Sequence, residues 1–301
     1  MGATLGPNRY GKAGIRLATV VRRDGQHEFF EREVEVRLEG EFEDVHTKGD
    51  NASVLPTDTM RGSVYALAKQ RPDEAIEAFA LRYTDYLLDA SPAATRAETW
   101  ITERPWDRVE IEGRPHPHSF TRGAHRWTAH ALRERGGVRL SAGLDELYVL
   151  KTTGSAFAGF LEDRYTTLPA TDDRIMATNL EAEWRYGSTD LDFGVERRCV
   201  KDVIVHAFAH HDESNSVQHT LWEMGRAVVG PAERDETVGV VEAALGTKLQ
   251  MMHVDKSGVA AARHDAAAVV AQQDAATQCG WDGLLGASEH RASARLDRDL
   301  G

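Results

Sequence analysis

Five short stretches of this 301-residue chain carry side chains whose types and spacing suit chemistry. In the first, Asn8-Arg9-Tyr10-Gly11-Lys12, a lysine stands at the entrance to a strand pattern. There it is an anchor for an anion, a general base once desolvated, or a plain surface charge. In the second, Gly49 to Thr59, a polar loop ends where helical spacing begins. Thr57 or Asp58 can cap that helix by accepting backbone N–H bonds, and the same helix start favours an anionic ligand. The third, Arg114-Pro115-His116-Pro117-His118-Ser119, puts two histidines at i and i+2, as metal ligands on a strand face would be. Its prolines predict a loop, and no third ligand stands at local spacing.

The fourth stretch runs from Leu150 to Leu180 and reads as a connection of roughly 25 residues, a length at which ordered loops are often functional. Within it Phe157 is a stacking platform or a core aromatic. Arg174 is a bidentate clamp for an anionic heterocycle, or the partner of Asp172 or Asp173 in an ion pair. In the fifth, Ser214-Asn215-Ser216-Val217-Gln218 opens a long helix. Gln218 offers an amide acceptor and two donors beside exposed backbone N–H groups, a set suited to a lactam edge, or is simply a polar first-turn residue.

The elements that must hold these groups are legible from periodicity. Residues 14–23 and 29–41 alternate apolar with charged side chains, with Val34, Val36 and Leu38 on one face, which predicts two antiparallel strands with one wet side. Val64, Leu67 and Ala68 fall at helical spacing, and Pro72 opens a second helix carrying Ile76, Phe79, Ala80, Tyr83 and Leu87. Strand patterns return at 100–112 and 126–132. The second half repeats the order: strands at 144–152 and 181–186, helices at 195–210 and 217–229, a strand at 236–244. Such a duplication predicts an α+β fold in which two helices cover one face of an antiparallel sheet in each half and a partner covers the other face. The expected division is 5–143, 144–255 and a tail of 256–301. That tail holds 12 alanines in 46 residues, and 259–276 reads as a helix on propensity alone.

Composition narrows the function classes. With 36 basic and 48 acidic residues the formal net charge is −12, which argues against nucleic acid or an anionic membrane as partner. At 41% hydrophobic and 28% charged residues the chain can build a sizeable core. The two cysteines, Cys199 and Cys279, are too few for a Cys-rich zinc site and fit a reducing compartment. No run of eighteen apolar residues and no leader pattern at residues 1–10 is present, so the expectation is a cytoplasmic protein.

Taken in order, the motifs resemble the urate oxidase (uricase) family from about Leu5 to Ala244. The matching stretches are RYGK (9–12), GDNxxVLPTDT (49–59), GRPHPHSF (113–120), VLKTTGSxFxGF with DRYTTL and DRI (149–175), and SVQ (216–218). The resemblance implies tandem tunnelling-fold domains in a homotetramer with active sites between subunits, and oxidation of urate by O2 and water to 5-hydroxyisourate and hydrogen peroxide without a cofactor or metal. It implies that Arg174 and Gln218 hold the urate anion, Phe157 stacks on the purine and the Val217 backbone bonds its edge. Thr57 and Asp58 would enter from the neighbouring subunit, and Lys12 with Thr57 would form the proton relay.

After about residue 245 the sequence departs from the family. Where the family carries Leu-Pro-Asn-Lys-His, this chain has Leu245-Gly246-Thr247-Lys248-Leu249, so Thr247 and Leu249 replace the Asn of the O2 site and the His of the relay. No counterpart of the family's closing strand is evident in the alanine-rich tail. The leading expectation is therefore a urate oxidase lacking part of its relay. The alternatives are a noncatalytic purine-binding homologue, and a metal-dependent hydrolase of the same fold using His116 and His118.

Overall fold

Alternation of apolar and charged residues along long β-branched stretches gives strands, and the computed structural model pairs them into one sheet. It describes residues 5–134, 136–229, 240–254 and 260–272, the last two stretches by backbone alone. In chain order the elements are β1 (Arg9–Arg23), β2 (Gln26–Gly40), α1 (Glu43–Thr47), α2 (Thr57–Gln70), α3 (Ile76–Ala90), β3 (Ala94–Arg104), β4 (Trp106–Ile111), β5 (Arg114–Arg122) and β6 (Arg126–Glu134). There follow β7 (Gly137–Lys151), β8 (Met176–Tyr186), α4 (Phe193–His210), α5 (Val217–Val229), β9 (Val240–Val254) and β10 (Ala260–Gln272). Eight strands form an antiparallel sheet in the order β1-β2-β3-β6-β7-β8-β9-β10, while β4 and β5 make a separate two-stranded sheet. The expected boundary after residue 143 lies inside β7, which is continuous from Gly137 to Lys151.

Each half packs two helices on one sheet face. Ile15, Val34, Val36, Leu38 and Ile101 meet Met60 and Val64 of α2 and Phe79, Tyr83 and Leu87 of α3, all buried. In the second half Leu140, Leu144, Leu180 and Trp184 meet Val203 and Ile204 of α4 and Leu221 and Met224 of α5. Burying this apolar surface on one side while Arg, Glu and Thr alternate on the other is what fixes strand register.

A buried ionic chain joins the two halves beneath the helices. Glu103 of β3 accepts from Arg32 Nε of β2 at 2.7 Å and from Arg197 of α4 at 2.8 Å. Arg197 in turn lies 3.8 Å from the fully buried Glu77 of α3 and over the Trp127 ring at 5.3 Å. Among the described residues no helix is long and apolar enough to cross a membrane.

Two expectations fail here. Residues 114–119 form part of a strand, β5, despite Pro115 and Pro117. A two-stranded sheet has a free edge on each strand, so a proline can turn its missing N–H outward without breaking a ladder bond. The alanine-rich stretch expected as a helix is β10, paired with β9 from Ala260↔Val254 to Gln272↔Glu242. It closes the edge that β9 would otherwise leave open, and the gain in backbone pairing outweighs alanine's helical preference. Val259 and residues 273–301 lie outside the described residues, as do 236–239 of the expected strand at 236–244.

Candidate active site

The fifth motif opens α5 as expected. Ser216 Oγ accepts the His219 N–H at 3.1 Å and so caps the helix. Val217, buried, and Gln218, exposed, are thereby the first two helical residues, whose N–H groups a helix leaves without internal acceptors.

The long connection between β7 and β8 folds back onto this helix start. Ser155 bridges Ser214, with Ala156 N–H donating to the Ser214 carbonyl at 2.7 Å and Ser214 N–H to the Gly154 carbonyl at 3.1 Å. Phe157 and Thr171 exchange backbone hydrogen bonds at 2.8 and 2.9 Å, which closes the loop on itself. Phe157 stacks on Phe160, centroids 4.9 Å apart, and the Arg174 guanidinium lies 5.3 Å from the Phe157 ring centre. Arg174 is 9% exposed, its Nε has no hydrogen-bond partner, and burial pulls its pKa below the ordinary arginine value. A guanidinium still keeps its charge in a protein, so this is a desolvated cation with donor capacity to spare.

The ion pair with Asp173 that sequence allowed is replaced by another arrangement. The Asp173 carboxylate accepts from Thr153 Oγ1 and from the Gly154 N–H, each at 2.8 Å. Sequence reading missed this, because only the fold brings residue 153 beside residue 173.

The other candidate residues gather at the far edge of the sheet. Lys12 is exposed on β1 opposite Val36, beside a shallow cavity of about 260 Å3 that Arg9, Glu35 and Arg37 also line. The Tyr10 hydroxyl accepts the Leu55 N–H at 2.9 Å and so ties β1 to the loop that leads into α2. Thr57 is the first residue of that helix and Asp58 the second, both exposed, with Asp58 2.5 Å from Arg61. Pro56, not Thr57 or Asp58, occupies the cap position, and no side chain caps the helix. The first turn of α2 is thus exposed at Thr57, Asp58 and Thr59 and carries no side-chain cap.

Within one chain the two groups do not meet. β1 and β7 are separated by four interstrand steps, roughly 19 Å along the sheet at the usual strand spacing. His116 and His118 sit on β5 with rings 4.5 Å apart and His118 5.9 Å from His27, and among the described residues no group of three His, Cys, Asp or Glu is arranged to hold a metal. Thr247 and Leu249 lie on β9, their backbones opposite Leu180 of β8 and Asp265 of β10 respectively.

Comparison with known proteins points one way. The uricase family model matches residues 8–127 and 140–277. A uricase of Arthrobacter globiformis is 39% identical over 226 residues, which is 75% of this chain and 73% of that protein. A uricase of Arabidopsis thaliana is 36% identical over 237 residues, 73% and 77% of the two chains. The crystal structure of the Arthrobacter globiformis uricase superposes with a TM-score of 0.82 at 32% identity, covering 93% of this chain and 99% of that one. A urate oxidase structure from Bacillus sp. TB-90 shares the fold at a TM-score of 0.75 and 19% identity, over 88% and 100% of the two chains.

Proposed function

The chain belongs to the uricase family and oxidises urate, and from that premise we propose how its residues do so. Urate, O2 and water become 5-hydroxyisourate and hydrogen peroxide, two electrons passing from the purine to oxygen. An electron-rich, deprotonated purine can reduce O2 itself, so the protein has to position, deprotonate and exclude rather than supply a cofactor. The observation that carries this reading is Arg174, a buried cation with an unpartnered Nε, set against the Phe157 ring in a loop bonded to the start of α5. Arg174 and Gln218 hold the urate anion, the Val217 N–H bonds its edge and Phe157 stacks on it. Lys12 and Thr57 move the proton, with Asp58 beside them.

Lys12, Thr57 and Asp58 lie at the β1 edge of the sheet, four strands from β7, after which the clamp loop begins; this separation supports a site completed by a second copy, in a homotetramer that we place in the cytoplasm. The two sequence units, 5–143 and 144–255, are proposed as tandem tunnelling-fold domains within each copy that share β7, the strand through which the division passes. Thr247 and Leu249, standing where the family has Asn and His, lower turnover rather than binding, by about 10- to 1,000-fold on the scale of lost relays and donors.

The test is loss of the ultraviolet absorbance of urate in air by the purified protein, with peroxide detection and an anaerobic control. Oxygen-dependent decay with stoichiometric peroxide is expected. A folded oligomer that binds urate without consuming oxygen contradicts the catalytic reading.

A further inference from the structure

The residues of the clamp come from two distant stretches of chain, and one side chain outside the proposed contacts ties them together. Asp173 accepts from Thr153 Oγ1 and from Gly154 N–H, each at 2.8 Å, while its own carbonyl accepts from Thr171 Oγ1 at 2.8 Å. Through Thr171 it reaches Phe157, whose backbone pairs with that threonine, and along the chain it precedes Arg174. Through Gly154 it reaches α5, because the Gly154 carbonyl accepts from Ser214 N–H at 3.1 Å. The buried Ser214 hydroxyl lies 2.5 Å from Thr220 Oγ1 and donates to the Ser216 carbonyl at 3.2 Å, which fixes the turn that presents Val217 and Gln218.

We propose that Asp173 is the positioning residue of the urate clamp, setting the Phe157–Arg174 arm against the start of α5 without itself touching substrate; this rests on the clamp assignment made above. Its carboxylate satisfies donors from residues 153 and 154 that no other side chain reaches in the structure. Those donors, Thr153 Oγ1 first, also hold its pKa below the ordinary aspartate value, so the group is ionised wherever urate is an anion. Losing the carboxylate removes the side-chain tie between residues 153–154 and the Phe157–Arg174 arm and leaves only the backbone bonds to Ser214, so the arm that captures the anion loses its preorganisation.

The experiment compares wild type with Asp173→Ala, Asp173→Asn and Thr153→Val. It measures KM and kcat for urate, the Kd of xanthine by anaerobic calorimetry as a purine anion without the 8-oxo group, and oligomer size and Tm. Asp173→Ala is expected to raise both KM and the xanthine Kd about tenfold, equivalent to about 1.4 kcal/mol of lost preorganisation, with kcat within about threefold of wild type. Asp173→Asn, which keeps one acceptor in place, restores most of the loss, and Thr153→Val gives a smaller rise of the same kind. If Asp173→Ala does not assemble, the other two variants decide. Unchanged KM and Kd in the variants that assemble, or a fall in kcat at constant Kd, overturns the proposal. A wild-type protein that neither oxidises urate nor binds xanthine overturns the clamp assignment instead.

Discussion

Arg174 is a cation that folding has already desolvated. It is buried, its Nε lacks a partner, and its guanidinium lies against the Phe157 ring. An anion that supplies two acceptors therefore recovers hydrogen bonds the folded protein forgoes, without a second desolvation cost to the arginine. Arg174→Ala is expected to weaken urate or xanthine binding by about 2 to 4 kcal/mol, read as Kd by calorimetry; unchanged affinity would remove Arg174 from the site. Lys12 presents the opposite case, exposed on an edge strand, so that the proposed relay draws it into chemistry only through assembly. For Lys12→Met the expectation is a fall in kcat of about 100-fold or more with KM changed much less, as for loss of a proton-transfer group. An equal loss in kcat/KM through KM alone would make Lys12 a binding residue.

The elements that carry these residues differ in how plainly they are written in the sequence. β2 was legible because Val34, Val36 and Leu38 bury one face while Glu33, Glu35 and Arg37 alternate with them, and a period of two needs no tertiary information. β5 was not, because its prolines signal a break unless one knows that its sheet has only two strands. β10 was not, because alanine is a helix former wherever no open strand edge competes for it. Phe157, Arg174 and Gln218 each allowed a plain structural reading by residue type and stood out only through the family resemblance, whereas the proposed role of Asp173 depends on a contact with Thr153 across the loop. Gly154 shows what that loop demands of one backbone position. Its φ is +75°, and a Cβ there would lie 2.8 Å from the Asp212 carbonyl oxygen. Gly159 also has positive φ, +70°, but open space around it. Gly159→Ala should therefore cost only the left-handed penalty of about 1 to 2 kcal/mol. Gly154→Ala should lower Tm further and also raise KM, by pushing the loop off the start of α5. Equal Tm shifts and unaltered KM in both variants would show that the close approach of loop to helix is immaterial.

At the scale of the whole molecule two features join parts that are distant in sequence. The first is the buried ionic chain between the halves, where burial raises the Glu77 pKa from 4.5 to about 7 against the opposing pull of Arg197. The native state then binds more protons than the unfolded chain between those values, so stability falls as pH rises through 4.5 to 7. The full penalty, on the order of 3 kcal/mol, stands above that window. Glu77→Gln is expected to match wild type in urea midpoint at pH 5 and to exceed it at pH 8; a variant less stable at pH 8 would mean that the charged pair with Arg197 is net stabilising. The second feature is the division of the proposed site. Lys12 and Thr57 belong to one end of the sheet and Arg174 and Gln218 lie beyond the fourth strand from it, so on the proposed assignment a single copy holds two half-sites and no whole one. An interface repeated by symmetry then offers each half-site of one copy to the complementary half of the next. At urate near the wild-type KM, Lys12→Met and Arg174→Ala should each be nearly inactive alone. When the two variants are co-expressed, one composite site in a mixed pair inherits both substitutions and the other inherits neither. Random pairing then restores about a quarter of wild-type activity, measured as urate loss per total subunit. A mixture no more active than its parents would place Lys12 and Arg174 in the same copy's site and overturn the proposal of a site shared between copies.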